Sequence, residues 1–153
     1  MKALIIYDSF FGNTEQIATA IAGDIEGGKV LRVSEVKPPV LESVDLLIVG
    51  SPTRGFRASE AIQAFIQGIP DNNLKGTKVA AFDTRIPEAE VGKGLRFLMK
   101  MGGYAAPRIA QALKKKGGNL AVPPEGFFVK DREGPLKEGE LERAASWAKE
   151  IAK

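Results

Sequence analysis

Ala3-Leu4-Ile5-Ile6-Tyr7-Asp8-Ser9-Phe10-Phe11-Gly12-Asn13-Thr14 runs from an unbroken apolar stretch, through a short polar loop with one glycine, into a helical pattern. Residues 3–7 do not alternate with polar residues, so the strand they predict is buried on both faces, as in a parallel sheet covered by helices. Beyond Thr14, the residues Ile17, Ala18, Ile21, Ala22 and Ile25 fall on one face of an amphipathic helix. Asn13 reads as the N-cap of that helix, with Gln16 as its capping-box partner and Gly27-Gly28 as the left-handed stop.

The same alternation continues outward. Strands are expected at residues 30–33, 46–50, 78–82 and 119–122, the last interrupted by Pro123-Pro124-Glu125-Gly126 and resumed at 127–129. Helices are expected at 59–68, at 104–116 with Pro107 in the first turn, and at 140–152. Pro38-Pro39 leaves little room for a full helix between strands two and three. Tyr7 and Trp147 read as packing residues. Residues 85–103 form a long stretch too apolar for a solvated loop, and it reads either as a lid over the crevice or as an extra helix on the sheet edge. The pattern is α/β: a three-layer, doubly wound sheet of five parallel strands in the order 2-1-3-4-5, with residues 1–153 as one domain. Its ligand crevice lies at the carboxyl ends of strands one and three.

The chain has 153 residues with Lys+Arg 22, Asp+Glu 19, no His and no Cys, a formal charge of +3. Without His and Cys there are no thiol nucleophiles, disulfides, histidine bases, haem ligands or Cys/His metal sites. A hydrophobic fraction of 44% with 27% charged residues supports a packed core. No stretch reaches the roughly 18 apolar residues of a membrane span, and the absence of both an export signal and cysteine points to the cytoplasm. Lys114-Lys115-Lys116 closes a helix, where basic residues complement the dipole; no nucleic-acid partner is inferred from it.

In the first crevice loop, Gly12 allows close approach of the backbone to a ligand, the helix start presents free amides, and Ser9 and Thr14 add hydroxyls: a phosphate cradle without a lysine. Ser9-Phe10-Phe11-Gly12-Asn13-Thr14 resembles the phosphate loop of the flavodoxin family, Ser/Thr-x-Thr-Gly-x-Thr, which holds flavin mononucleotide (FMN). Phe11 departs from it by replacing the middle Thr. The resemblance extends through the broken fifth strand to Gly134-Pro135-Leu136.

The resemblance implies FMN as cofactor, with Gly50-Ser51-Pro52-Thr53-Arg54-Gly55-Phe56-Arg57 beside the flavin ring and Asp83-Thr84-Arg85 at its pyrimidine edge. Pro52-Thr53-Arg54 is similar to the same loop of flavin-dependent quinone reductases. Gly55 is then the peptide that turns toward the flavin, and a charge on Arg54 near the ring favours the reduced anion. The third loop lacks the Tyr with which flavodoxins cover the ring, leaving Phe10, Phe56 and Tyr104 as substitutes. The implied function is electron transfer or a small NAD(P)H-dependent quinone or flavin reductase, serving a redox partner protein or a small-molecule acceptor. The +3 charge departs from acidic shuttle flavodoxins. The alternative is a degenerate flavodoxin-like binding or regulatory domain that does not hold FMN. A response-regulator receiver lacks its acidic cluster here, and a hydrolase lacks its base.

Overall fold

The structure is a computed structural model and describes residues 1–37, 40–87 and 103–153. The expected excursion is outside the described residues except at its two ends. In chain order the elements are β1 (Ala3–Tyr7), α1 (Asn13–Gly23), β2 (Gly28–Arg32), β3 (Leu46–Pro52), α2 (Glu60–Gln67), β4 (Lys78–Arg85), α3 (Ala105–Lys115), β5 (Asn119–Leu120), β6 (Glu125–Phe128) and α4 (Glu140–Ala152). A single 3-10 turn, Val33–Glu35, follows β2.

The sheet order is β2-β1-β3-β4-β5, every pairing is parallel, and β6 also pairs with β4. β5 and β6 therefore share the fifth position, with Pro123-Pro124 between them because proline has no N–H for the ladder. This is the expected doubly wound sheet. Each face has its own core because side chains alternate along the strands. Ile5, Tyr7, Ile48, Phe82 and Phe127 pack with α1 and α4, while Leu4, Ile6, Leu47, Val49 and Ala81 pack with α2 and α3.

Phe82, Phe127 and Trp147 meet edge-to-face with centroids 5.9–6.1 Å apart, so Trp147 is a packing residue. Gly50 belongs to this core: a Cβ there would stand 2.0 Å from the Phe82 ring. β3 continues to Pro52 and β4 to Arg85, since Ser51 and Pro52 pair with Asp83 and Thr84. Asp83, Thr84 and Arg85 are thus strand residues and not the loop expected of them.

α1 corrects the sequence reading at both ends. Its N-cap is Gly12 at φ 91°, with no side-chain cap bond, and Asn13 is the first helical residue. The buried Asn13 side chain instead donates to the Glu133 carbonyl, 3.2 Å away. The helix stops at Gly23, before Gly27, whose φ of 75° serves the turn into β2. α2 is capped by Ser59, whose Oγ accepts from the Ile62 amide at 3.3 Å.

Candidate functional site

The in-register ends of β1, β3 and β4 open into a crevice of about 350 Å³, within the size range of small-ligand sites. Residues Ser9, Phe10, Phe11, Asn13 and Thr14 line one side, Pro52, Thr53, Arg54 and Gly55 another, and Thr84, Arg85 and Ile86 a third. Val129 and Arg132 complete the lining.

The 9–14 loop is held mostly by local bonds. Ser9 N–H donates to Asp8 Oδ1 at 2.9 Å, and Ser9 Oγ accepts from the Gly12 amide at 3.0 Å. Arg32 donates to the Ser9 carbonyl at 2.8 Å and lies 3.8 Å from Asp8. The first intrahelical bond runs from the Gln16 amide to the Gly12 carbonyl, so the amides of Asn13, Thr14 and Glu15 precede the helical ladder. Thr14 is buried, and its hydroxyl shares a 2.9 Å hydrogen bond with that of Thr84. Below them, the Tyr7 hydroxyl donates to Glu15 at 2.7 Å; burial, reinforced by that carboxylate, raises its pKa.

In the second loop the Arg54 and Arg57 backbones exchange hydrogen bonds of 2.8 and 3.0 Å, closing a two-residue turn on Gly55 and Phe56. Both central residues have positive φ, 53° and 68°, as mirror-type hairpin turns require. Glycine takes this conformation without strain, whereas Phe56 is held in it by the turn. The guanidinium of Arg54 lies over the Phe10 ring, 4.6 Å from its centroid.

The β4 wall is a buried polar knot. Asp83 is fully buried, and Arg85 grips its carboxylate with bonds of 2.6 and 2.7 Å. The same carboxylate accepts from the Ala106 amide at 2.9 Å, while Thr53 Oγ1 accepts from the Ala105 amide at 3.0 Å. Asp83 and Thr53 together therefore cap α3, whose own N-cap residue, Tyr104, makes no side-chain cap bond. Burial pushes the Asp83 carboxyl up, against the pull of Arg85 and the Ala106 amide. Arg85 also lies 3.6 Å from the Tyr104 ring centroid, and Gly126 makes room for it: a Cβ there would collide with the guanidinium.

Most of the expected residues converge, but Gly12, Phe56 and Asp83 do not line the crevice. Gly12 shapes the loop through its backbone, Phe56 sits in the turn, and Asp83 is engaged beneath the floor. Among the aromatic substitutes only Phe10 lines the crevice, since Tyr104 is buried under Arg85. Ile86, the first residue of the stretch read as a lid or an extra helix, is in the lining, and sequence reasoning missed Val129 and Arg132. Val129 and Arg132 reach the crevice from a hairpin after β6, which no local motif announces. Among the described residues no cluster of potential metal ligands occurs, and no helix is long and apolar enough to cross a membrane.

The polar end fits a phosphate, with pre-ladder amides, Gly12 at positive φ and no carboxylate among the described lining residues, and Phe10 adds an apolar ring to the lining. A solved flavodoxin from the domain Archaea superposes with a TM-score of 0.78 at 23% identity, covering 99% of this chain and 96% of that one. Oxidised Flavodoxin 1 from Bacillus cereus gives 0.77 at 21% identity, covering 99% and 97%. At these identities the likeness concerns the fold. An uncharacterised protein of Methanocaldococcus jannaschii is 30% identical over 105 residues, 68% of this chain and 69% of its own. The family model of the flavodoxin domain matches residues 4–128, and the chain belongs to that family.

Proposed function

We propose that residues 1–153 act as a single FMN-binding redox domain. The observation that carries this reading is the convergence of the 9–14 loop, residues 52–55 after β3 and residues 84–86 at the end of β4 on one crevice with a phosphate-compatible end. When bound, FMN supplies one- and two-electron chemistry that no side chain of this chain can supply. The amides of residues 13–15 and the dipole of α1 would hold the phosphate, Gly55 and Arg54 would border the ring, and Thr84 and Arg85 would bound its remaining edge. Phe10, on which the Arg54 guanidinium lies, would offer the ring an apolar contact. The Asp83–Arg85 pair acts from below by fixing the β4 edge.

The electrons go to a redox partner protein or a small-molecule acceptor. The net charge of +3 supports a mode of association unlike that of an acidic shuttle, and the cysteine-free composition is compatible with the cytoplasm. Purified protein mixed with FMN is expected to turn yellow, quench flavin fluorescence and gain about 2.7 kcal/mol of stability at a hundredfold excess over Kd. A colourless protein whose melting temperature ignores FMN would reject this reading in favour of a degenerate, flavin-free domain.

A further inference from the structure

β2 ends on Arg32, which pairs in register with Tyr7, so the two side chains stand on one face of the sheet with the guanidinium 5.2 Å from the Tyr7 ring centroid. From there Arg32 reaches over the end of β1. Its Nη1 donates to the Ser9 carbonyl at 2.8 Å and lies 3.8 Å from Asp8 Oδ1, and its Nη2 lies 3.9 Å from Glu15 Oε2. Glu15, in the first turn of α1, accepts in turn from the Tyr7 hydroxyl at 2.7 Å. One guanidinium thus faces the residue before the loop, the loop itself and the helix after it.

Three atoms of Ser9 are engaged: its amide on Asp8 Oδ1, its Oγ under the Gly12 amide and its carbonyl on Arg32. The first two bonds use neither group of the Ser9–Phe10 peptide and would survive its rotation. The third would not. A trans peptide points its C=O and N–H in opposite directions, so a carbonyl turned toward Arg32 sends the Phe10 N–H away from β2. The hydrogen bonds of the described residues leave the Phe10 and Phe11 amides unengaged, and Ser9, Phe10 and Phe11 all line the crevice. A rotated peptide would turn an electron-rich oxygen toward the side that the N–H now faces.

Arg32 itself does not line the crevice. Its side chain is one-third exposed, so the long ion pairs to Asp8 and Glu15 are screened by water and contribute little to stability. The 2.8 Å bond to Ser9 is charge-assisted and geometrically specific.

We propose that Arg32 is a positioning residue of the cofactor site: it holds the Ser9–Phe10 carbonyl toward β2 and leaves the loop's N–H groups to the cofactor. The inference rests on the FMN reading and assigns a further residue to that site. Its test compares wild-type protein with Arg32→Met, which keeps an apolar stem over Tyr7 without the donor, and Arg32→Lys, which keeps the charge without the fork. Amide hydrogen exchange is followed in flavin-free protein, and FMN affinity by flavin fluorescence. In Arg32→Met the Ser9 and Gly12 amides are expected to exchange faster while those of β1 and β3 keep their protection. FMN binds this variant about tenfold more weakly, the scale of one charge-assisted hydrogen bond. Arg32→Lys falls between the two in both measurements. Unchanged loop exchange, or a loosened loop with unchanged FMN affinity, overturns the positioning role. Protection lost equally in the loop, β1 and β3 makes Arg32 merely structural and overturns it too. So does an Arg32→Lys that binds FMN like wild type with its loop as loose as that of Arg32→Met, since charge at a distance then suffices. Wild-type protein that binds no FMN rejects the FMN reading itself, a failure visible before any variant is compared.

Discussion

The two walls of the crevice are built on different principles. The 9–14 wall is held largely by bonds between near neighbours, Asp8 to Ser9, Ser9 to Gly12 and Gly12 to Gln16, and it leaves Phe10 and Phe11 about half exposed. The β4 wall is held by contacts distant in sequence: Asp83 to Ala106, Thr53 to Ala105, and Arg85 over Tyr104 beside Gly126. The first wall keeps its amides available for a ligand, whereas the second spends its polar groups on joining β3, β4 and α3. The Thr14–Thr84 hydrogen bond is a direct tie between them. Binding and stability are accordingly separable across the crevice.

Breaking the β4 wall gives the largest effect. Asp83→Ala leaves Arg85 largely buried without its counter-ion and removes the acceptor of the Ala106 amide, and about 3–5 kcal/mol of stability is expected to go with it. Chemical denaturation measures this as a lower midpoint. A loss below 1 kcal/mol would mean that water relaxes into the space and that the knot does not hold the wall.

The 9–14 wall responds differently. Gly12→Ala forces a side chain into a left-handed conformation at φ 91°, although its Cβ meets nothing within 4 Å, so the penalty is conformational: about 1–2 kcal/mol. The contrast is sharpened by FMN binding, which Gly12→Ala is expected to weaken by more than its stability loss would suggest, because the loop that presents the amides is the part that is strained. Loss of stability with FMN affinity intact would show that the loop re-forms around alanine.

This contrast also explains what the sequence disclosed. Strand order, the position of the crevice and the presence of the 9–14 loop in its lining were legible because they depend on apolar runs such as residues 3–7 and on a glycine between a strand and a helix. The role of Asn13 was not: a good capping residue in isolation, it is diverted to Glu133, 120 positions away, while glycine takes the cap. Gly50 reads as the last residue of the third strand and Gly126 as part of a strand break, yet each is demanded by a large side chain from β4, Phe82 or Arg85. Arg132 was illegible for the same reason, since its place is fixed by a hairpin folding back onto α1. Local periodicity carries no record of such long-range pairings.

Arg54 offers the finest test because it joins the second loop to the first by stacking on Phe10. The 54–57 turn closes through backbone bonds, so Arg54→Ala should leave the fold unchanged. Its effect belongs to the bound flavin: removing a positive charge disfavours the reduced anion and lowers the reduction potential. For a charge half in water this amounts to a few tens of millivolts, on the order of 1 kcal/mol. Arg54→Lys keeps the charge without the planar stacking group, so spectroelectrochemical potentials of the three proteins separate electrostatics from packing. A potential that falls in Ala but holds in Lys assigns the effect to charge; equal falls in both assign it to the cover that Phe10 loses; and identical potentials in all three mean that Arg54 does not reach the ring and that the turn contributes through Gly55 and its backbone alone.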